Sequence, residues 1–162
     1  ILNLVASTVL KHLLEGKGYK VIMTRESHDV NISNSERAIF ANNNKADMVV
    51  RVHADSLNNP GKTGASILIP AKESKYTTAI YEDSQNCANL ISSKMKEAGI
   101  KVNGVFERGD LTGFNWSQVP VVLVEMGFLS NYTEDQMMSN PEYQTKLMQA
   151  ISDGLDEYFA NK

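Results

Sequence analysis

Val119-Pro-Val-Val-Leu-Val-Glu-Met-Gly-Phe-Leu-Ser-Asn131 contains the most β-prone segment of the chain, Val121 to Val124, ended by a carboxylate at Glu125. Four apolar residues in a row describe a central strand rather than a half-solvated one. A carboxylate at the end of such a strand is costly to desolvate unless it has a partner, a metal or a reactive role. Glu125 is therefore a candidate general base, or else a carboxylate that caps loop backbone N–H groups.

The same pattern recurs upstream. Met48-Val-Val-Arg-Val-His53 is an apolar run read as a strand buried on both faces, and it ends on His53. In open α/β sheets ligands bind beyond the carboxyl ends of the strands, so both polar side chains fall where chemistry is usually done. His53 reads as a metal ligand or as a hydrogen-bonded histidine at the edge of the core. Two such groups are not a zinc site, which needs about three protein ligands and an open position.

Around these strands the chain alternates helices and strands. Ile1 to Glu15 carries an apolar stripe of Leu2, Val5, Ala6, Val9, Leu10, Leu13 and Leu14 at helical spacing, stopped by Gly16 and Gly18. Tyr19 to Thr24 reads as a strand. Ser33-Asn-Ser-Glu36 resembles a capping box that starts a helix running to about Asn44. Gly64 to Pro70 reads as a further strand, and about Thr78 to Ala98 as a long helix closed by Gly99. Asn140-Pro141 starts the last helix, which buries Tyr143, Leu147, Ile151, Leu155 and Phe159. This alternation predicts a three-layer α/β/α sandwich around a twisted, mostly parallel central sheet. Residues 1–162 read as a single domain, with no internal repeat or linker.

Composition narrows the function. Lys and Arg number 16 against 19 Asp and Glu, a net charge of −3, with 42% hydrophobic and 22% charged residues. That is globular composition, with no nucleic-acid footprint and no apolar run of the roughly 18–20 residues a membrane span needs. The single cysteine, Cys87, excludes a disulfide framework and reads as a small packed residue. His12 flanks the first helix's stripe, and His28 lies in a polar loop beside Glu26 and Asp29, where solvation is the usual outcome. There is no G-x-S-x-G elbow, no P-loop and no G-x-G-x-x-G.

Several blocks of the sequence, taken in order, are similar to one family. They are Gly18 to Arg25, Ser35-Glu-Arg37 with Ala41-Asn42, Ala46-Asp47 leading to Val52-His-Ala-Asp55, Gly64, and Pro120 to Asn131 with Glu134. The chain resembles, over essentially its whole length, the zinc-dependent N-acetylmuramoyl-L-alanine amidases of the amidase-3 type, which are bacterial cell-wall hydrolases. The resemblance implies that His53 is the last zinc-binding histidine and that Glu125 is the catalytic glutamate of the E-x-G-F-x-S-N motif. It further implies hydrolysis of the amide between N-acetylmuramic acid and L-alanine, peptidoglycan as partner, zinc as cofactor and a secreted, wall-associated location. Gly127 and Phe128 then hold Glu125 in place, and Arg25, Arg37, Asn42 and Asp47 are architectural. Arg51, Asp55, Arg108, Asp110 and Asn115 either line a groove or are solvated surface residues.

Two ligands of the family's zinc site, a histidine and a glutamate, have no counterpart here, nor has its first strand. All three are expected upstream of Ile1, in keeping with a chain that lacks an initiator Met and starts in mid-helix. His12 or His28 would substitute only on a different backbone path. The alternative is a non-catalytic homologue that binds wall fragments or a protein partner. Wall-binding domains or a regulatory partner would lie outside this chain.

Overall fold

A computed structural model describes residues 2–24, 33–56 and 59–162. In chain order its elements are α1 (Leu2–Gly16), α2 (Asn34–Asn43), β1 (Val49–Asp55), β2 (Ala65–Pro70), α3 (Thr78–Glu97), β3 (Val102–Arg108), α4 (Thr112–Asn115), β4 (Val121–Phe128), α5 (Tyr132–Met138) and α6 (Pro141–Ala160). The strands form one sheet in the order β1-β4-β2-β3. β1 runs parallel to β4 and β2 parallel to β3, while β2 and β4 are antiparallel. The expected mixed α/β architecture with a mostly parallel sheet is what forms.

β4 is central, and its apolar residues divide between the two faces by simple alternation. Val122, Val124 and Met126 join Ile67 and Ile69 on the face covered by α1 and α3, with α6 packed across both helices. Val121 and Leu123 face the other way, against Phe114 of α4 and Ile80 at the start of α3. That second layer is thin, because α4 has only four residues. It covers one end of the sheet and leaves the other end accessible. No helix among the described residues is long and apolar enough to cross a membrane.

Local signals act as their chemistry requires. Ser33 Oγ accepts the N–H of Glu36, and Asn140 Oδ1 accepts those of Glu142 and Tyr143, so both side chains cap helix N-termini. α3 ends before Gly99, whose φ of +80° suits glycine.

Four expectations are corrected. β1 is not buried on both faces: it is an edge strand, most of whose residues are half-buried, and its outer side borders a cavity of about 650 Å³. Tyr19–Thr24 is not a strand, because it finds no ladder partner among the described residues; it runs along the far wall of that cavity. The α1 stripe is only partly covered: Ala6 and Leu10 are buried, Val5 is exposed, and the half-buried Leu14 lines the cavity. In α6 it is Tyr158 that is buried, while Tyr143 and Phe159 are partly covered. Arg25 and His28 lie outside the described residues.

Candidate active site

Register brings the two strand-end residues together. His53 on β1 stands opposite Glu125 on β4, and Glu125 stands opposite Ser66 on β2, which in turn is opposite Gly104 on β3. One row of four positions therefore crosses the whole sheet on its thinly covered face. His53 Nδ1 and Glu125 Oε2 are 3.4 Å apart, with the histidine side chain 47% exposed and the glutamate 15%. The carboxylate holds the His53 pKa above its ordinary value, against the opposing effect of partial burial.

The loop-capping reading of Glu125 does not hold, because other groups fill that role. Phe128 N–H donates to Glu134 Oε1 at 2.9 Å, and Leu129 N–H to the Asp55 carbonyl at 2.7 Å. The second carboxylate oxygen of Glu134 accepts the N–H of Gly64 at 2.7 Å. Asn131 caps α5 through the Glu134 N–H and donates from its amide to the Pro60 carbonyl at 2.7 Å. The S-N-x-x-E segment after Glu125 is therefore a clamp that binds the residue 59–64 loop to the end of β4. A Cβ on Gly127 would sit 2.9 Å from Glu134 Oε1, so the clamp closes only over a glycine. Gly64 adds a φ of +97°, which an L side chain rarely adopts.

β1 is fixed from outside as well. Asn3 of α1 accepts the Ala54 N–H at 3.0 Å, immediately after His53. Neither the Asn3 contact nor the clamp was foreseen from the sequence, although Asn131 ends the stretch that flagged Glu125 and Glu134 follows it by three residues.

The remaining polar candidates are held in place. Arg51 reaches Asn34 Oδ1 at 2.9 Å, beneath Gly113, where a Cβ would lie 2.5 Å from its guanidinium. Burial and the nearby Arg37 lower its pKa, with Glu125 offsetting part of that effect. Arg108 forms a two-point pair with Asp110, both contacts at 2.8 Å, which holds the Asp110 carboxyl down to about 2. Asn115 donates to the Gly109 carbonyl, and Asp55 Oδ1 accepts the next residue's N–H. Asn42 ties α2 to the approach to β4, through the Trp116 carbonyl and the Gln118 N–H. His12 is exposed on α1, and Cys87 is fully buried.

A metal ion needs more donors than this face offers. Among the described residues no three His, Cys, Asp or Glu side chains come together. His53 is a suitable nitrogen donor, but it supplies one ligand where zinc takes about three.

The chain is similar to proteins of one family. The family model for N-acetylmuramoyl-L-alanine amidase matches residues 1–157. A Staphylococcus saprophyticus protein described as a probable cell wall amidase, LytH, is 29% identical over 152 residues, which are 93% of this chain but 46% of that protein. The chain thus spans about half the length of such relatives. A Bacillus subtilis protein described as uncharacterized, YqiI, is 29% identical over 158 residues, 98% of this chain and 73% of its own. The crystal structure of an N-acetylmuramoyl-L-alanine amidase from Clostridium difficile superposes with a TM-score of 0.88 at 28% identity, covering 99% of this chain and 83% of that one. CwlD amidase of Clostridioides difficile, solved with the GerS lipoprotein, gives 0.84 at 25% identity, covering 99% and 86%. A motif whose glutamate meets a strand-end histidine, in a sheet that matches solved amidases and under a model spanning nearly every residue, places this chain in the amidase-3 family of N-acetylmuramoyl-L-alanine amidases.

Proposed function

We propose that this chain carries the catalytic glutamate and one metal ligand of a zinc-dependent amidase. Its substrate is peptidoglycan outside the cytoplasmic membrane, cut between the lactyl group of N-acetylmuramic acid and the first L-alanine. The observation that carries the reading is the His53–Glu125 pair, 3.4 Å apart at the carboxyl ends of adjacent parallel strands.

Each group has a role its chemistry permits. When bound, zinc supplies Lewis acidity and a water acidified to a pKa of about 7. His53 offers an imidazole nitrogen to the metal. Glu125 takes a proton from the attacking water and returns it to the leaving amine of alanine. Its low exposure limits competition from bulk water, and the Glu134–Asn131 clamp fixes the turn that follows it.

The missing ligands, a histidine and a glutamate, are assigned to sequence upstream of Ile1. The cavity beside β1 supports this assignment. It runs along the edge of β1 that has no strand partner among the described residues, between that strand and Tyr19–Thr24, with Val50, Val52, Leu10 and Val21 on its walls. A strand entering there would find backbone partners and apolar cover together. The structure of a relative in complex with a lipoprotein supports a regulatory partner outside this chain as well.

The test uses the polypeptide extended upstream of Ile1, incubated with purified sacculi, with new alanine amino termini as readout. Glu125→Gln should slow release by about 10²- to 10⁴-fold. His53→Ala should also lose the metal, measured as about one zinc per chain in the wild type. A Glu125→Gln protein that cleaves at the wild-type rate refutes the mechanism. Binding to sacculi without cleavage by any form favours the wall-binding homologue.

A further inference from the structure

The row His53–Glu125–Ser66–Gly104 continues past the reacting groups into a pocket of about 310 Å³ on the β3 side of the sheet. Resting on the amidase reading above, we infer that this pocket holds the carboxylate of the second stem-peptide residue, recognised by Lys62 and Lys101. Its lining decides the ligand class. Lys62 and Lys101 contribute two positive charges, Phe106 and Phe128 form apolar walls, and the lining contains no acidic side chain. That concentration of cations stands out in a chain of net charge −3. Among the described residues neither lysine pairs with a carboxylate, and Lys101 Nζ instead donates to Thr63 Oγ1 at 2.7 Å.

The pocket is built rather than incidental. Asn103 donates to the Thr63 carbonyl at 3.0 Å, so β3 grips the loop that carries Lys62. The same loop is bound on its other side by Asn131 through Pro60, and by Glu134 through Gly64. The absence of a side chain at Gly104 lets the Phe106 ring fold back over it, since a Cβ there would lie 3.1 Å from the ring. Phe106 remains 46% exposed, an aromatic wall turned to the open face.

Spacing selects the second residue. Adjacent strands lie about 4.8 Å apart, so β3 is roughly 10 Å from β4 across β2. An extended peptide advances about 3.3–3.6 Å per residue, so the second residue's carboxylate lies about 7–10 Å from the scissile carbonyl. A peptide leaving Glu125 along the row therefore passes Ser66 with its first residue and presents its second to the lysines. In peptidoglycan that residue is D-glutamate, carrying a free α-carboxylate in some walls and an amide in others. Arg51 of β1, whose charge also acts on Glu125, is held by Asn34 beneath Gly113 and is not open to a ligand in this way.

The proposal predicts discrimination between the two wall chemistries. The experiment measures binding of N-acetylmuramoyl-L-alanyl-D-glutamate and of its isoglutamine counterpart by calorimetry, in the upstream-extended polypeptide with Glu125→Gln to prevent turnover. The acid form should bind about five- to tenfold more tightly than the amide. Lys62→Ala with Lys101→Ala should abolish that preference while leaving amide binding within about twofold, and Lys62→Arg should retain it. An unchanged preference in the double variant, or none in the parent, overturns the assignment to this pocket. Equal binding of both ligands alongside sacculus cleavage by the Glu125 form overturns the pocket alone. No binding of either ligand, with no cleavage, overturns the amidase reading and the pocket with it.

Discussion

Glu134 and Gly64, 70 residues apart in the chain, are joined by a 2.7 Å hydrogen bond from the glycine N–H to the carboxylate. The other carboxylate oxygen holds Phe128 N–H at 2.9 Å, so one side chain fastens the start of β2 to the end of β4. Ser66 and Glu125 face each other in the same strand pair, only a few residues away. Glu134→Ala should therefore cost more than an ordinary surface change, because it leaves two backbone donors unmatched in a half-buried place. The expected loss is about 2–4 kcal/mol in urea unfolding. Glu134→Gln keeps one acceptor and turns an amide NH2 toward the other donor, so its loss should be intermediate. An alanine variant within about 0.5 kcal/mol of wild type would show that the clamp contributes little.

Gly154 sets the distance between the two longest helices. A Cβ there would lie 2.6 Å from Ile91 Cα and 2.8 Å from its nitrogen, which are backbone atoms of α3. Alanine returns at most about 1 kcal/mol of helix propensity, whereas overpacking against backbone typically costs about 1–3 kcal/mol. The steric cost should win. Contacts this close to backbone put the cost in the upper part of that range, so the net loss is about 1–2 kcal/mol, and Gly154→Ala is expected to lower Tm by roughly 2–8 °C in a thermal melt at about 2–4 °C per kcal/mol for this size. An equal or higher Tm would mean that α3 and α6 separate freely.

Cys87 reports on the same interface. It is fully buried in α3, and burial pushes its thiol up to about 12. At pH 8 the reactive thiolate is therefore suppressed by both protonation and access. A disulfide-exchange reagent should label the folded protein slowly, at a rate set by opening, and should label the chain in concentrated urea at once. Prompt stoichiometric labelling of the folded protein would contradict the packing of α3 against α6.

How legible the molecule was in its sequence depended on whether a signal was local. The Asn140 cap, the Ser33 cap, the Gly99 stop and the apolar run Val121–Val124 each act through near neighbours, and each sits where its chemistry predicts. β3 was missed because Val102-Asn-Gly-Val-Phe-Glu-Arg108 does not alternate cleanly; its register shifts opposite Ala65 and Ser66, and a glycine interrupts it. α5 escaped because only Met138 of its seven residues is buried. Tyr19–Thr24 failed for the opposite reason, since a strand exists only when a neighbour completes the ladder. At the site, His53 and Glu125 were visible as polar residues ending apolar runs. The Glu134–Gly64 and Asn3–Ala54 bonds were not, because contacts between distant segments leave no periodicity behind.

The His53–Glu125 contact should also be visible in a titration of the metal-free protein. The carboxylate raises the folded pKa of His53 above 6.5, with partial burial opposing it. A raised pKa means that the folded state binds the proton more tightly than the unfolded chain does. The resulting stabilisation is fully present below the unfolded pKa of about 6.5 and is lost as pH rises through the folded value. Glu125→Gln removes the charge and the ionic hydrogen bond while keeping the shape. The His53 ring resonances, followed by NMR, should then titrate at lower pH than in the parent. An unchanged midpoint would mean that the Glu125 carboxylate does not act on the His53 ring in solution, which would remove the electrostatic link between the two groups.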